Sequence, residues 1–369
     1  MTGAGAGAGA ESGAGAGAGA GTGTGAGAGT GAGAGAFWSA AECALLVEAG
    51  CDAFAEARFF VAHELWEVAW LGTKAGAEGF ASPLAEGLRG LVQWTTAAHH
   101  LQRATGDARL RLAAAAERVL ARGLARLGQA QVRAALVDPV AGPLLSLPTG
   151  PEPGELLEPQ PDLVPRRLPL DAIGLLLGGG HGRRAGGPKA LKLLEGEPLW
   201  RHQARRTQAA GCAQVVAVLH PDAFPAATDQ PEPGVLAIES DPDAAPFASL
   251  QRALAAIAAD RAVLLLPVDC PCPPRAVAVA LLAATLEARL RATPWSAARP
   301  VVRCVPDLPP RAGHPVLLSP AFRTQLSDAN PETARLDHLL ASLAAPCRLD
   351  VEVRSTAILA NFNRDGLSS

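Results

Sequence analysis

The sequence has no tyrosine, one methionine and only 4% aromatic residues over its 369 positions. Charged residues reach 18%, below the roughly 25% of an average soluble chain. Their signs nearly cancel, with 32 Lys and Arg against 35 Asp and Glu. That balance excludes a protein that holds nucleic acid by bulk positive charge, and equally an acidic disordered tail. No apolar run reaches the roughly 18 residues that a membrane helix needs. The longest, Ala276 to Leu286, falls well short. The basic leader and leucine-rich stretch of a signal peptide are missing as well. The seven cysteines lack even, close spacing, and Cys270 and Cys272 are the one tight pair. These features lead us to expect reduced thiols, a cytoplasmic location, and neither a membrane nor a nucleic-acid partner. The surplus of Ala, Gly, Arg and Pro reads as coding bias.

What is present divides the chain into four parts. Residues 1–36 alternate Gly and Ala with Glu11 as the single charge. Such a run has no side chains to offset backbone entropy, so we expect a disordered low-complexity segment. Residues 37–147 carry apolar positions at spacings of three and four, which predicts an all-α bundle of four or five helices. Asp52 is a candidate cap for one of them, and Ser82-Pro83 a candidate start for another. Residues 148–168 hold six prolines and two glycines, the composition of a stiff linker. From 169 to 369 short apolar runs alternate with helical patterns. Strands are predicted at 171–177, 214–219, 234–238, 261–268, 300–305 and 314–318. Helices are predicted at 197–210, 247–259, 274–291 and 333–344. This alternation implies an α/β, Rossmann-like domain with a mostly parallel sheet and helices on both faces. Ligands in such folds sit beyond the carboxyl ends of the strands.

The most informative stretch is IGLLLGGGHGRRAGGPKAL, residues 173–191. A strand ending at Leu177 runs into Gly178, Gly179, Gly180 and Gly182, with Arg184 and Lys189 behind them. Glycines after a strand turn successive backbone N–H groups inward around an anion. An arginine and a lysine add the full charges a polyphosphate requires. The stretch also matches G-x-G-x-x-A of dinucleotide folds, but Gly186-Gly187-Pro188 would break the helix that motif needs. A Walker loop fails because Ala190 follows Lys189. A plain glycine turn stays open, though it has no use for three cationic side chains.

This stretch resembles the L-[AG]-G-G-x-[SG]-x-R-M-G-x-x-K signature of the molybdopterin type of nucleotidyltransferase. The likeness continues through QVVAVL at 214–219, the Ser249-Leu250 pair in PFASLQRAL, LLLPVDCP at 264–271, GHPVLLSPAF at 313–322 and Asn361-Phe362-Asn363. The sequence departs from the pattern at His181 and Ala185, and Arg364-Asp365-Gly366 stands where T-P-E-D is usual. The resemblance implies a Mg2+-dependent enzyme that moves CMP or GMP from CTP or GTP to molybdopterin and releases pyrophosphate. It further implies that Leu177, Gly178, Gly179, Gly180, Gly182, Arg184, Lys189 and Ser249 bind the nucleotide. Arg184, Lys189 and Asp269 would carry catalysis, and Asp269 and Asn363 would hold the metal. His314 is a candidate for substrate contact. Other small phosphates, such as a sugar phosphate, remain possible acceptors. A catalytically degenerate binding protein and a scaffold for a molybdoenzyme or assembly factor are the non-enzymatic alternatives.

In the front part, RFFVAHELWEVAW places His63, Trp66, Glu67 and Trp70 on one helical face. With a later G-L-V-Q helix bearing His99-His100, it resembles a small all-α bacterial family of unknown function. His63, Glu64, Glu67 and His99 form a candidate polar site. H-E-x-x-E is not the H-E-x-x-H zinc motif, so metal ligation and a hydrogen-bonded pair inside a packed seam both stay open.

Overall fold

A computed structural model describes residues 38–73, 82–103, 108–127, 137–138, 142–143, 169–183, 186–304 and 309–362. The Gly-Ala segment, the proline-rich linker, Arg184, Ala185 and Asn363 lie outside the described residues.

Among the described residues, four helices build the front part: α1 (Ala40–Ala55), α2 (Phe59–Gly72), α3 (Pro83–Arg103) and α4 (Ala108–Leu127). Ser39 opens α1 through a capping box, accepting from Glu42 N at 3.2 Å while Ser39 N donates to the Glu42 carboxylate at 2.7 Å. Asp52, expected as a cap, instead lies inside α1. The helix runs past it because Cys51, Ala53 and Phe54 are buried on its inner face. Ser82 does start α3, accepting from Ala85 N at 3.1 Å. Trp66, Phe54, Leu88, Leu91 and Trp94 form the center of this core. Each such side chain contributes roughly 1.5–3 kcal/mol by leaving water.

Among the described residues the α/β part holds an eight-stranded sheet. Its main strands are β1 (Ala172–Gly178), β2 (Val215–Leu219), β3 (Val235–Glu239), β4 (Ala262–Pro267), β5 (Ala297–Val302), β6 (Val316–Leu318) and β7 (Arg348–Glu352). β1 sits centrally, parallel to β2 and β4, and β3 continues in parallel from β2. β6 runs antiparallel between β4 and β5, and β7 pairs in parallel with β5. The sheet is therefore mostly parallel, as expected, with two reversed strands, β6 and the short Arg311–Ala312 strand that pairs with β5. β7 was not foreseen, because RLDVE is half exposed and has no apolar run. β5 starts three residues earlier than predicted, at Ala297. The buried small residues Ala297 and Ala298 give no strand signal in sequence.

The remaining helices are α5 (Leu199–Ala209), α6 (Phe224–Asp229), α7 (Pro246–Ala255), α8 (Arg275–Leu290), α9 (Pro320–Asp328) and α10 (Leu336–Ser342). Alternation along β1 divides the core between two faces. Ile173 and Leu175 pack with Phe247 and Leu250 of α7 and Phe322 of α9. Leu176 packs on the opposite side with Trp200 and Ala204 of α5. Ala172 faces that same side, in one cluster with α8 and the front helices. The front helices thus share a hydrophobic core with α8 rather than forming an isolated bundle. Among the described residues no helix is long and apolar enough to cross a membrane.

Candidate functional site at the carboxyl end of the sheet

β1 hands the chain directly to the glycine loop. Leu177 O accepts from Val268 N at 3.0 Å, so the ends of β1 and β4 are pinned side by side. Gly182 has φ +60, and a Cβ there would lie 1.9 Å from Gly187 O. Only glycine fits where the loop folds back, with Gly187 N donating to Gly182 O at 3.3 Å. Gly179 is closed in by the Ser240 side chain, whose hydroxyl donates to Gly179 O at 3.0 Å. Ser249 Oγ would stand 3.4 Å from a Cβ on Gly179, so the predicted serine does border the loop. It lies within the first turn of α7 rather than at its cap, which is Ala245.

After Pro188 a short 3-10 turn, Lys189–Leu191, begins. It carries Lys189 across to Asp269, with Nζ 2.7 Å from Oδ2. Both side chains are partly buried, at 29% and 16% exposure. Asp269 stands in the turn after β4, closed by Cys270 N donating to Pro267 O at 3.0 Å. Asn361 Nδ2 donates to Asp269 Oδ2 at 3.3 Å, and Phe362 N to Asp269 O at 2.9 Å. Of the expected site residues, the fold thus gathers Leu177, the four loop glycines, Lys189, Ser249 and Asp269 at one edge of the sheet.

Two residues escaped sequence reading. Asn361 occupies the first position of the N-F-N stretch whose third residue was singled out. Gln203, buried in α5, donates to Val268 O at 3.3 Å and Cys270 O at 2.9 Å, and accepts from Cys272 N at 3.0 Å. It fastens the Asp269 turn from behind, and a lone glutamine in a helix gives no sequence signal for such a role. Cys270 and Cys272 are buried. Burial pushes the Cys270 thiol up to about 12 and raises that of Cys272 as well.

His314 borders a cavity of about 390 Å³ together with Cys270, Arg311, Gly313 and Asn361. Its backbone N donates to Ile358 O at 2.9 Å. Burial lowers its pKa, partly offset by the charge of Asp269. A larger cavity of about 560 Å³ lies at the opposite, amino ends of β1, β2 and β3 and is lined by none of the predicted residues. On the other flank of the loop, His181 reaches Asp243 at 2.9 Å and His220 at 3.4 Å. The hydrogen bond from His181 holds the Asp243 carboxyl below the usual range. His220 follows β2 and Asp243 follows β3, so this chain crosses three strand ends.

The residues beside Asp269 suit a sparse hard-cation site. The Asp269 carboxylate and the Asn361 amide stand together in a partly buried corner, next to the glycine loop. A magnesium ion takes one or two protein oxygens and completes its shell from substrate and water.

In the front part, Trp66 of the predicted stripe is fully buried and donates to Val47 O at 3.2 Å. His63 and Glu67 are not a buried pair: their side chains are 23% and 37% exposed, and their nearest atoms are 4.0 Å apart. His63 instead meets Glu64 at 3.1 Å.

Residues 174–347 match the family model of the MobA-like NTP transferase domain. Residues 47–112 match that of a domain of unknown function, DUF309. A search of curated proteins finds no match. Among solved structures, the Rv0371c protein of Mycobacterium tuberculosis H37Rv is 18% identical over 50% of this chain and 90% of its own, with a TM-score of 0.39. A nucleotidyl transferase from Methanothermobacter thermautotroptrophicus is 17% identical over 52% and 91%, with a TM-score of 0.38. A 4-diphosphocytidyl-2C-methyl-D-erythritol synthase from Anaerococcus prevotii DSM 20548 is 9% identical over 51% and 88%, with a TM-score of 0.38. Likenesses this remote speak to neither substrate nor residue roles.

Proposed function

Because this chain carries a MobA-like NTP transferase domain at residues 174–347 behind a DUF309 domain, we propose that it transfers CMP or GMP from CTP or GTP to molybdopterin, with Mg2+ and release of pyrophosphate. One observation carries the reading. The glycine loop, Lys189 and Asp269 converge at the carboxyl ends of β1 and β4, with Lys189 Nζ 2.7 Å from Asp269 Oδ2.

The reaction requires little covalent chemistry from the protein. An acceptor phosphate oxygen forms a bond to the α-phosphorus, the bond to the bridging oxygen breaks, and pyrophosphate leaves with that electron pair. Positioning and charge neutralisation then carry the rate. Backbone N–H groups from Gly178 to Gly182 would donate to the triphosphate. Lys189, and Arg184 from the same loop, would neutralise charge growing on the phosphoryl oxygens. Asp269 would hold the divalent ion, with the Asn361 amide beside it and Asn363 two residues on as a further ligand. When bound, that ion supplies further positive charge for the phosphoryl oxygens. Gln203 fastens the backbone of the Asp269 turn from behind. The cavity bordered by Arg311, His314 and Asn361 adjoins Asp269 and offers room for an acceptor. The same chemistry would serve a sugar phosphate or another small phosphate.

The test is direct. The purified chain is incubated with Mg2+, each NTP in turn, and either molybdopterin or a panel of sugar phosphates, and pyrophosphate is measured. Release with CTP or GTP that depends on molybdopterin supports the proposal. Release only with a sugar phosphate moves the acceptor, and NTP binding without release leaves a binding protein.

A further inference from the structure

We propose that His181, the one bulky side chain between Gly178 and Gly182, is a positioning residue for the triphosphate: a hydrogen-bonded chain through His220 and Asp243 ties the apex of the glycine loop to the ends of β2 and β3. The inference deepens the reading given above and rests on it. His181 stands where the loop departs from the pattern it resembles. Its Nε2 lies 2.9 Å from Asp243 Oδ1, and its Nδ1 lies 3.4 Å from His220 Nε2.

The direction of each bond follows from the backbone. Asp222 N can only donate, and it meets His220 Nδ1 at 3.2 Å. An imidazole that accepts at Nδ1 carries its proton on Nε2, so His220 donates to His181 Nδ1. His181 then has its own proton on Nε2 and donates it to Asp243, whose carboxylate only accepts. Both ends of the chain are fixed. His220 is buried, and its carbonyl accepts from Ala223 N at 2.8 Å and Phe224 N at 3.1 Å at the start of α6. Asp243 N donates to Asp241 Oδ1 at 3.0 Å, which closes a turn after β3.

A second anchor lies two residues earlier. Ser240 Oγ donates to Gly179 O at 3.0 Å, and a Cβ on Gly179 would stand 2.5 Å from Ser240 Cβ, so the backbone there lies flush against the end of β3. Two anchors thus grip the loop on its β2–β3 flank. Among the described residues nothing accepts from the N–H groups of Gly180, His181 and Gly182. A glycine-rich loop has the most backbone freedom to lose when it orders around an anion. A tethered apex loses that freedom during folding instead of at binding, which raises affinity without a new contact to the ligand. His181 therefore acts through the loop backbone, on the phosphates and not on the nucleobase.

The full-length chain is titrated calorimetrically with CTP, GTP and inorganic tripolyphosphate in the presence of Mg2+. We expect His181→Ala to weaken tripolyphosphate and the preferred nucleotide alike, by about tenfold. Asp243 is 81% exposed, so Asp243→Ala keeps the fold and should weaken both ligands in the same ratio to one another. His181→Gln, whose amide can still donate to Asp243, should restore most of the affinity, which a merely structural loss would not allow. Unchanged affinity in His181→Ala overturns the positioning role, as does a His181→Gln chain no better than His181→Ala. Weakening confined to the nucleotide, with tripolyphosphate unaffected, overturns it too and assigns His181 to the base. Should the unsubstituted chain bind none of the three ligands, the nucleotidyltransferase reading itself falls, and the positioning role falls with it.

Discussion

Glu48 of α1 and Arg275 at the start of α8 are 227 residues apart in sequence and joined by two hydrogen bonds of 2.6 and 2.8 Å. Their side chains are 3% and 10% exposed. Arg275 also donates to Ala210 O at 3.0 Å, and it follows the turn that carries Asp269 by a few residues. Removing one partner of a buried pair strands the other charge, at a cost of about 3–5 kcal/mol. Glu48→Ala should therefore lower unfolding free energy by about 3 kcal/mol in urea titrations. A loss below about 0.5 kcal/mol would mean that water replaces the carboxylate freely.

At the sheet edge, Asp269→Ala should leave the circular dichroism spectrum intact and abolish pyrophosphate release. Unchanged release would remove Asp269 from the chemistry. Lys189→Ala should raise the KM for NTP or lower kcat by more than about tenfold, equivalent to about 1.4 kcal/mol. A neutral outcome would demote the glycine loop to a structural turn.

Gln203 makes its three hydrogen bonds from a buried position. Gln203→Leu leaves two carbonyls and one N–H without their partner, which costs about 1–3 kcal/mol each when fully unsatisfied. We expect a drop in melting temperature together with a lower kcat and little change in KM, because the glycine loop is untouched. A fall in KM affinity with normal kcat would argue that the turn tolerates the loss.

Burial pushes the Cys43, Cys212 and Cys270 thiols from 9.0 up to about 12. A folded pKa above the unfolded one stabilises the fold fully below about pH 9 and is lost as pH rises toward 12. Melting temperature should therefore fall across that alkaline window. At pH 8 a disulfide reagent should modify exposed Cys304 and half-exposed Cys347 well before the buried thiols. Uniform reactivity of all seven would contradict the packing.

Much of this arrangement was legible in the residues. Apolar runs at β1, β2 and β4 marked the central strands, because strands buried on both faces read as continuous Leu and Val. The glycine loop and Asp269 were legible for a related reason: glycine density and a carboxylate ending an apolar strand are local signals. β7 was not legible, since an edge strand with alternating charge looks like a loop until β5 lies beside it. Gln203 was silent and Asn361 was legible only as part of the N-F-N stretch, because their partners at Cys270 and Asp269 are 67 and 92 residues away.

Sequence by itself thus determined the central strands, most of the longer helices and the glycine-rich turn after the first strand, since these depend on neighbours along the chain. Tertiary structure decided that Lys189 meets Asp269, that the front helices share a core with α8, and that His63 and Glu67 face solvent rather than a sealed seam. Those outcomes rest on contacts across tens to hundreds of residues, where chain order carries no geometric information until the sheet and its helices close around one another.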